Sequence, residues 1–301
     1  MATVMDAPAG LEGVVVAATA IGDVLGTEGF FHYRGHPAPA LATTRSFEAV
    51  WHLLHHGRLP DAAELAAFAA ATAGLRALPD AVVAGLPAIA PAGTMMAALR
   101  TALSLAGQDL PPWMDQTPAE RARAALRLVA LTPTVAAALW RTRNGQAVLA
   151  PDPALGFAAD YLRMATGVVP SAAQARAVER YLLLTIDHGF NASTFTARVV
   201  ASTGADLTAA AVAGIAALSG PLHGGAPSRV VDMLRQIGTI AAARPWVEDA
   251  LANGQRIMGF GHRVYRTEDP RSAVLKATAQ ALGGPIVDLA IEVERVALEI
   301  L

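Results

Sequence analysis

The chain has 301 residues, 53% of them hydrophobic and only 16% charged, with a net charge of −2. That length buries a large core in one or two domains, and so dry a composition points to extensive helix–helix or subunit contact. The absence of cysteine excludes disulfides and thiolate chemistry, and the lack of any basic block or basic–aromatic stripe argues against nucleic-acid binding.

Taken in chain order, the segment GLEGVVVAATAIGDVLGTEGFFHYRGH mixes β-branched residues with Gly26, Gly29 and Gly35, which suits a short hairpin. No basic residue precedes Arg34, so a secretory signal peptide is not expected and the chain is read as cytoplasmic. Without such a signal, the glycosylation sequon at Asn191 carries no weight. From Ser46 onward the pattern turns helical. Ser46 is placed to cap FEAVWHLLHH, which Gly57 and Pro60 end. Asp61 with Glu64 forms a capping-box pattern. Thr117-Pro118-Ala119-Glu120 opens another helix with proline at its favoured first position, and Ser171 with Gln174 opens a further one.

Residues 207–222 are the longest apolar run, broken by Ser219, Gly220 and Pro221. It falls short of the roughly 18–20 residues of a membrane span and reads as a core helix. Glycine and proline thicken over 219–228 and 254–271. Between these loops SRVVDMLRQIG and PWVEDALANG read as two helices. A domain boundary near 222 separates a large body, 1–222, from a smaller one, 223–301. The closing stretch PIVDLAIEVERVALEIL is amphipathic, with an apolar face through Val287 and Ile291 and on to Ile300 and Leu301. It has no C-cap glycine and reads as a helix cut in mid-element. Loops are short and strand-like runs few, so the fold is expected to be all-α.

The eight histidines divide into two groups. Five lie near the N-terminus, where His52 and His56 stand four residues apart as a possible metal pair. A plain role at a helix C-terminus is the better account. The other three, His188, His223 and His262, each sit in an unusual setting. His223 lies between a proline and two glycines in SGPLHGGAPS. His262 lies among Gly259, Gly261, Arg263, Arg266 and Arg271. Glycines let backbone approach a ligand, and arginines grip carboxylates and phosphates. The stretch GFG lacks the third glycine of a dinucleotide fingerprint, and no nucleophile elbow is present. A metal site built from His188, His223 and His262 is disfavoured, because the flanking arginines would repel a cation. Imidazoles with arginines, and no thiol, suit enolisation of a carbonyl compound beside a bound polycarboxylate. That chemistry needs donors at the developing oxyanion, here His223 and His262, and a base, most simply a carboxylate.

These stretches together resemble the citrate synthase family, 2-methylcitrate synthases included. GLEGVV, YRGH and SFEAVWHLLHHGRLP resemble its N-terminal part, and RNG with DPALGFAADYLRM its middle. DHGFNASTFTARVVASTGADLTAAAVAGIAALSGPLHGGA and IMGFGHRVYRTEDPR resemble its two signature regions. The resemblance implies an all-α homodimer of large and small mobile helical domains that closes over oxaloacetate and acetyl-CoA. It implies no membrane contact, no metal and no tightly bound cofactor, with acetyl-CoA as co-substrate. By position, His223 would bond the thioester oxygen and His262 would polarise the ketone. His188 and Arg271 would hold oxaloacetate carboxylates. Met258, Gly259, Phe260 and Gly261 would lie along CoA, with Arg266 near its phosphates.

The chain departs from the family pattern in four places. The family's downstream arginines, one of them contributed across the dimer, are not found. Thr185 stands where the family often has histidine. Thr94-Met95-Met96 stands where it often has HPM. The VDFYSG-like motif that carries the family's catalytic aspartate lies beyond Leu301. A chain ending there is expected to bind ligand and turn over poorly, as an incomplete sequence or as a non-catalytic paralogue. Propionyl-CoA is the alternative acyl donor.

Overall fold

The protein is described here by a computed structural model, which covers residues 14–108, 110–260, 265 and 268–301. A small antiparallel sheet comes first, with β1 (Gly22–Leu25), β2 (Phe30–Tyr33) and β3 (His36–Pro37) in that spatial order. Gly22 pairs with Tyr33 and Tyr33 with His36. Arg34 (φ 49°) and Gly35 (φ 83°) join β2 to β3, the two positive φ values of a tight hairpin turn that matches strand twist. Alternation along β2 sends Phe31 and Tyr33 inward, each 1% exposed.

Fourteen helices follow among the described residues. They are α1 (Ala38–Thr44), α2 (Phe47–His56), α3 (Ala62–Ala73), α4 (Asp80–Ile89), α5 (Met95–Ala106), α6 (Pro118–Arg143) and α7 (Phe157–Thr166). The rest are α8 (Ala172–Thr185), α9 (Ala192–Ser202), α10 (Leu207–Leu218), α11 (Gly225–Ile237), α12 (Ile240–Ala252), α13 (Pro270–Leu282) and α14 (Pro285–Ile300). Local chemistry sets several boundaries. Ser46 accepts from the Ala49 N–H to start α2, and Gly57 ends it in the left-handed region. Full capping boxes open α3 at Asp61, α6 at Thr117 and α8 at Ser171.

Three apolar clusters form the interior. The first gathers β2, α1, α2, α7 and α8, with Phe47 stacked on Phe157 at 4.2 Å between centroids. The second lies among α4, α5 and α6. The third lies beneath α11, α12 and α14. By length and composition α6 could cross a bilayer, yet Leu131, Val135 and Leu139 on it are buried in the second cluster. The α13 helix does not join α14 in the third cluster. Its Val274 and Leu275 pack on the first cluster, and Arg180 of α8 donates to the Thr278 hydroxyl at 3.1 Å.

A buried ionic knot pins the connection from α6 to α7. Arg76 Nη1 donates to Asp160 Oδ2 at 3.2 Å and to the Leu155 carbonyl at 2.9 Å. Glu48 Oε1 accepts the Phe157 N–H at 2.8 Å, and Asp160 Oδ1 accepts the Asp152 N–H at 3.0 Å. Mutual pairing is what lets such charges stay dry.

Three sequence expectations change. The helix placed at Pro245 begins at Ile240 and carries the proline inside it, where its missing N–H forfeits one intrahelical bond. The buried face of α14 runs through Leu289, Val293, Val296 and Ala297, one stripe away from Val287 and Ile291, because α14 packs chiefly on α12. The apolar α10 is buried only at Thr208, Ala210 and Gly214, where it meets α9 and α5. It is therefore only partly covered within one chain.

Candidate active site

Two turns bring the sequence-predicted residues into place. The first follows α8. Ile186, Asp187 and His188 leave the helix, and Gly189 turns the chain with φ 66°. The Asp187 carboxylate accepts the Gly189 N–H at 3.3 Å. Burial pushes its pKa up from the ordinary carboxylate value. His188 meets two aromatic rings edge-on, Phe31 at 5.6 Å and Tyr265 at 5.5 Å between centroids. Its Nε2 lies 2.9 Å from the Tyr265 hydroxyl. Beneath it the buried Tyr33 donates its O–H to the Leu183 carbonyl at 2.9 Å, and burial raises that phenol pKa too.

The same turn supports the second histidine. Asn191 caps α9, its Oδ1 accepting the Thr194 N–H at 2.9 Å and the Ser193 hydroxyl at 2.7 Å. Ser193 Oγ in turn lies 2.9 Å from His223 Nε2. The backbone N–H at Thr194 identifies the capping atom of Asn191 as its oxygen. The Ser193 hydrogen therefore has two possible acceptors, Asn191 Oδ1 and His223 Nε2. Its direction selects which nitrogen of a neutral His223 carries the proton.

The Pro–Gly–Gly setting of His223 is a matter of space. After α10 ends, the N–H groups of His223 and Gly225 both return to the Gly220 carbonyl, at 3.0 and 3.2 Å. A Cβ on Gly224 would stand 2.6 Å from Leu218 Cδ1 and 2.7 Å from the Leu218 carbonyl oxygen. Only glycine permits that closeness, so the chain doubles back and holds His223 half-buried just ahead of α11.

Arg271 is in the first turn of α13, whose N-cap is Asp269. Its guanidinium is gripped by the Asp269 carboxylate, Nε to Oδ1 at 2.9 Å and Nη2 to Oδ2 at 2.6 Å. A substrate carboxylate reaching Arg271 would share a cation already paired on one edge. Tyr265 sits close by, 4% exposed, its phenol pKa pushed up to about 12 by burial and then by the Asp269 charge.

The loop leaving α12 carries the remaining expectations. Met258 and Phe260 pack against the third cluster, and Gly259 between them has φ 96°. Gly261, His262, Arg263 and Arg266 lie outside the described residues. Two departures from the family pattern have local duties: Thr94 caps α5 through the Ala97 N–H, and Thr185 bonds back to the Tyr181 carbonyl. The His52 and His56 ring centroids are 4.3 Å apart with the planes tilted, and His52 Nδ1 lies 3.0 Å from the Arg58 carbonyl. Among the described residues no group of three or more histidines and acids could hold a metal.

Sequence reasoning missed Ser193, Asn191, Asp269 and Tyr265 as partners of the named residues. Asp269, an N-cap before a proline, was legible. The others sit across turns or on distant segments.

Comparison with known proteins follows the same stretches. Residues 10–301 match the family described as citrate synthase, C-terminal domain. The 2-methylcitrate synthase of Mycobacterium tuberculosis is 41% identical over 278 residues, covering 92% of this chain and 70% of that protein. The citrate synthase of Deinococcus radiodurans is 42% identical over 272 residues, covering 90% and 72%. Among solved structures, the citrate synthase of Thermoplasma acidophilum, in ternary complex with carboxymethyl coenzyme A and oxaloacetate, superposes with a TM-score of 0.90 at 26% identity, covering 98% of this chain and 79% of that one.

Proposed function

The chain belongs to the citrate synthase family, and from that membership we propose that it joins acetyl-CoA to oxaloacetate through an enol, giving citrate and CoA. A carboxylate takes a proton from the acetyl methyl group. The new carbon–carbon bond forms at the oxaloacetate ketone, whose oxygen gains a proton. Water then cleaves the thioester and releases CoA.

The hydrogen bond between His223 and Ser193 carries this reading. When the Ser193 hydrogen turns to Nε2, the proton of neutral His223 stays on Nδ1. That nitrogen then donates to the thioester oxygen as enol character develops. His188 and Arg271 hold the two oxaloacetate carboxylates, and His262 polarises the ketone. Met258, Gly259, Phe260 and Gly261 line the CoA, with Arg266 at its phosphates.

Two bodies, 1–222 and 223–301, belong to the proposal, supported by the separate core under α11, α12 and α14. The partner is a second copy of the chain. Support comes from α10, apolar along its length yet buried at three positions only, and from α9, which buries none of its residues. Sedimentation of a dimer whose contact breaks with Leu218→Arg is the expected result.

A second reading has its own support. A 2-methylcitrate synthase and a citrate synthase are similar to this chain at 41% and 42% identity. Propionyl-CoA is therefore the competing acyl donor.

Oxaloacetate binding tests the part carried by residues 188–271, and CoA release tests the whole. On the 301-residue chain, oxaloacetate should raise the melting temperature, and thiol release from acetyl-CoA with oxaloacetate measures whether the chain itself supplies the carboxylate base. The protein has no cysteine to give background. A melting temperature indifferent to oxaloacetate would refute the proposal. Faster thiol release from propionyl-CoA would select the second reading.

A further inference from the structure

We infer that Tyr265 is a positioning residue for His188, holding its imidazole in the plane and place that a substrate carboxylate requires. The inference rests on the oxaloacetate reading of His188 and deepens it. Three observations carry it. The Tyr265 hydroxyl is 2.9 Å from His188 Nε2. The Tyr265 ring meets the imidazole at 64°, and the Phe31 ring meets it at 60°. Two rings and one hydrogen bond leave the imidazole little rotation about its χ angles. Tyr265 is itself 4% exposed, so it is a fixed strut rather than a surface side chain that samples the bond.

The connection is also long-range. Tyr265 precedes α13, and His188 follows α8. These two helices pack on each other and are joined by the bond from Arg180 to Thr278. The strut therefore transmits the α8–α13 packing to the imidazole. Burial keeps the phenol protonated across the neutral range, so the hydroxyl retains a hydrogen at every working pH.

The test is oxaloacetate titration by calorimetry on the full chain, for the wild type, Tyr265→Phe, His188→Ala and the double variant, with acetyl-CoA titrated in parallel. Phenylalanine keeps the ring and removes one neutral hydrogen bond, so oxaloacetate affinity should fall about three- to tenfold. Acetyl-CoA affinity should not change. In the His188→Ala background the same replacement should cost nothing more, because the strut has lost the group it holds. Equal losses in both backgrounds would overturn the inference, as would unchanged affinity in Tyr265→Phe. A wild-type chain that ignores oxaloacetate would instead overturn the functional reading and this inference with it.

Discussion

Ser193 presents its hydroxyl oxygen 2.9 Å from His223 Nε2. The two residues come from different helix ends, yet one hydrogen atom between them decides which imidazole nitrogen can donate. Replacing Ser193 with alanine removes that control and leaves Nε2 without its partner. Turnover with saturating oxaloacetate should fall about three- to tenfold, the scale of one neutral hydrogen bond. Oxaloacetate affinity should stay the same. Steady-state CoA release and calorimetry separate the two effects.

Gly224 should tolerate no side chain. Its Cβ would meet the Leu218 side chain at 2.6 Å and, less forgivingly, the Leu218 backbone oxygen at 2.7 Å. Gly224→Ala is expected to cost about 1–3 kcal/mol, the usual range for overpacking. Denaturant midpoints measure it. The same variant should weaken CoA release beyond what stability explains, because the turn that must shift is the one presenting His223.

Arg271→Lys keeps a positive charge and loses the planar fork. Asp269 already occupies one edge through Nε and Nη2. An ammonium paired with the same carboxylate has no second edge to offer. Oxaloacetate affinity should drop about 10- to 100-fold, the worth of a charge-assisted bond. Calorimetry at constant ionic strength gives the value, and an unchanged affinity would remove Arg271 from the substrate site.

Asp187 makes stability depend on pH. Burial raises its pKa in the folded chain above the unfolded value. The folded state therefore holds the proton over a window where the unfolded state has released it. Its favourable contribution is complete below about 3.9, the ordinary aspartate pKa, and is lost as pH climbs through the raised folded value. Asp187→Asn should keep the bond from the Gly189 N–H and remove the buried charge. The melting temperature should rise at pH 7 and match the wild type below the ordinary pKa. A fall at pH 7 would show that the ionised carboxylate has a favourable partner.

Much of this protein was legible without coordinates. The capping boxes at Asp61, Thr117 and Ser171 are contacts between residues three apart, so sequence spacing alone specifies them. The hairpin around Arg34 and Gly35 follows equally from local backbone preference. The two signature stretches identified the family, because composition and order along a segment survive without knowledge of packing.

What the tertiary structure decided is pairing at a distance. Tyr265 reaches His188 across 77 positions, and Ser193 reaches His223 across 30. No spacing rule encodes either contact. Both depend on how α13 settles on α8 and how α10 doubles back into α11. The partial burial of α10 belongs here as well: hydropathy reports that a helix seeks cover, while only the packed chain shows how much of that cover it supplies itself. The sequence determined several of the helices, their capping residues and the residues able to do chemistry. Tertiary packing determined which of those residues meet, because desolvation and side-chain fit act on surfaces assembled from segments far apart in the chain.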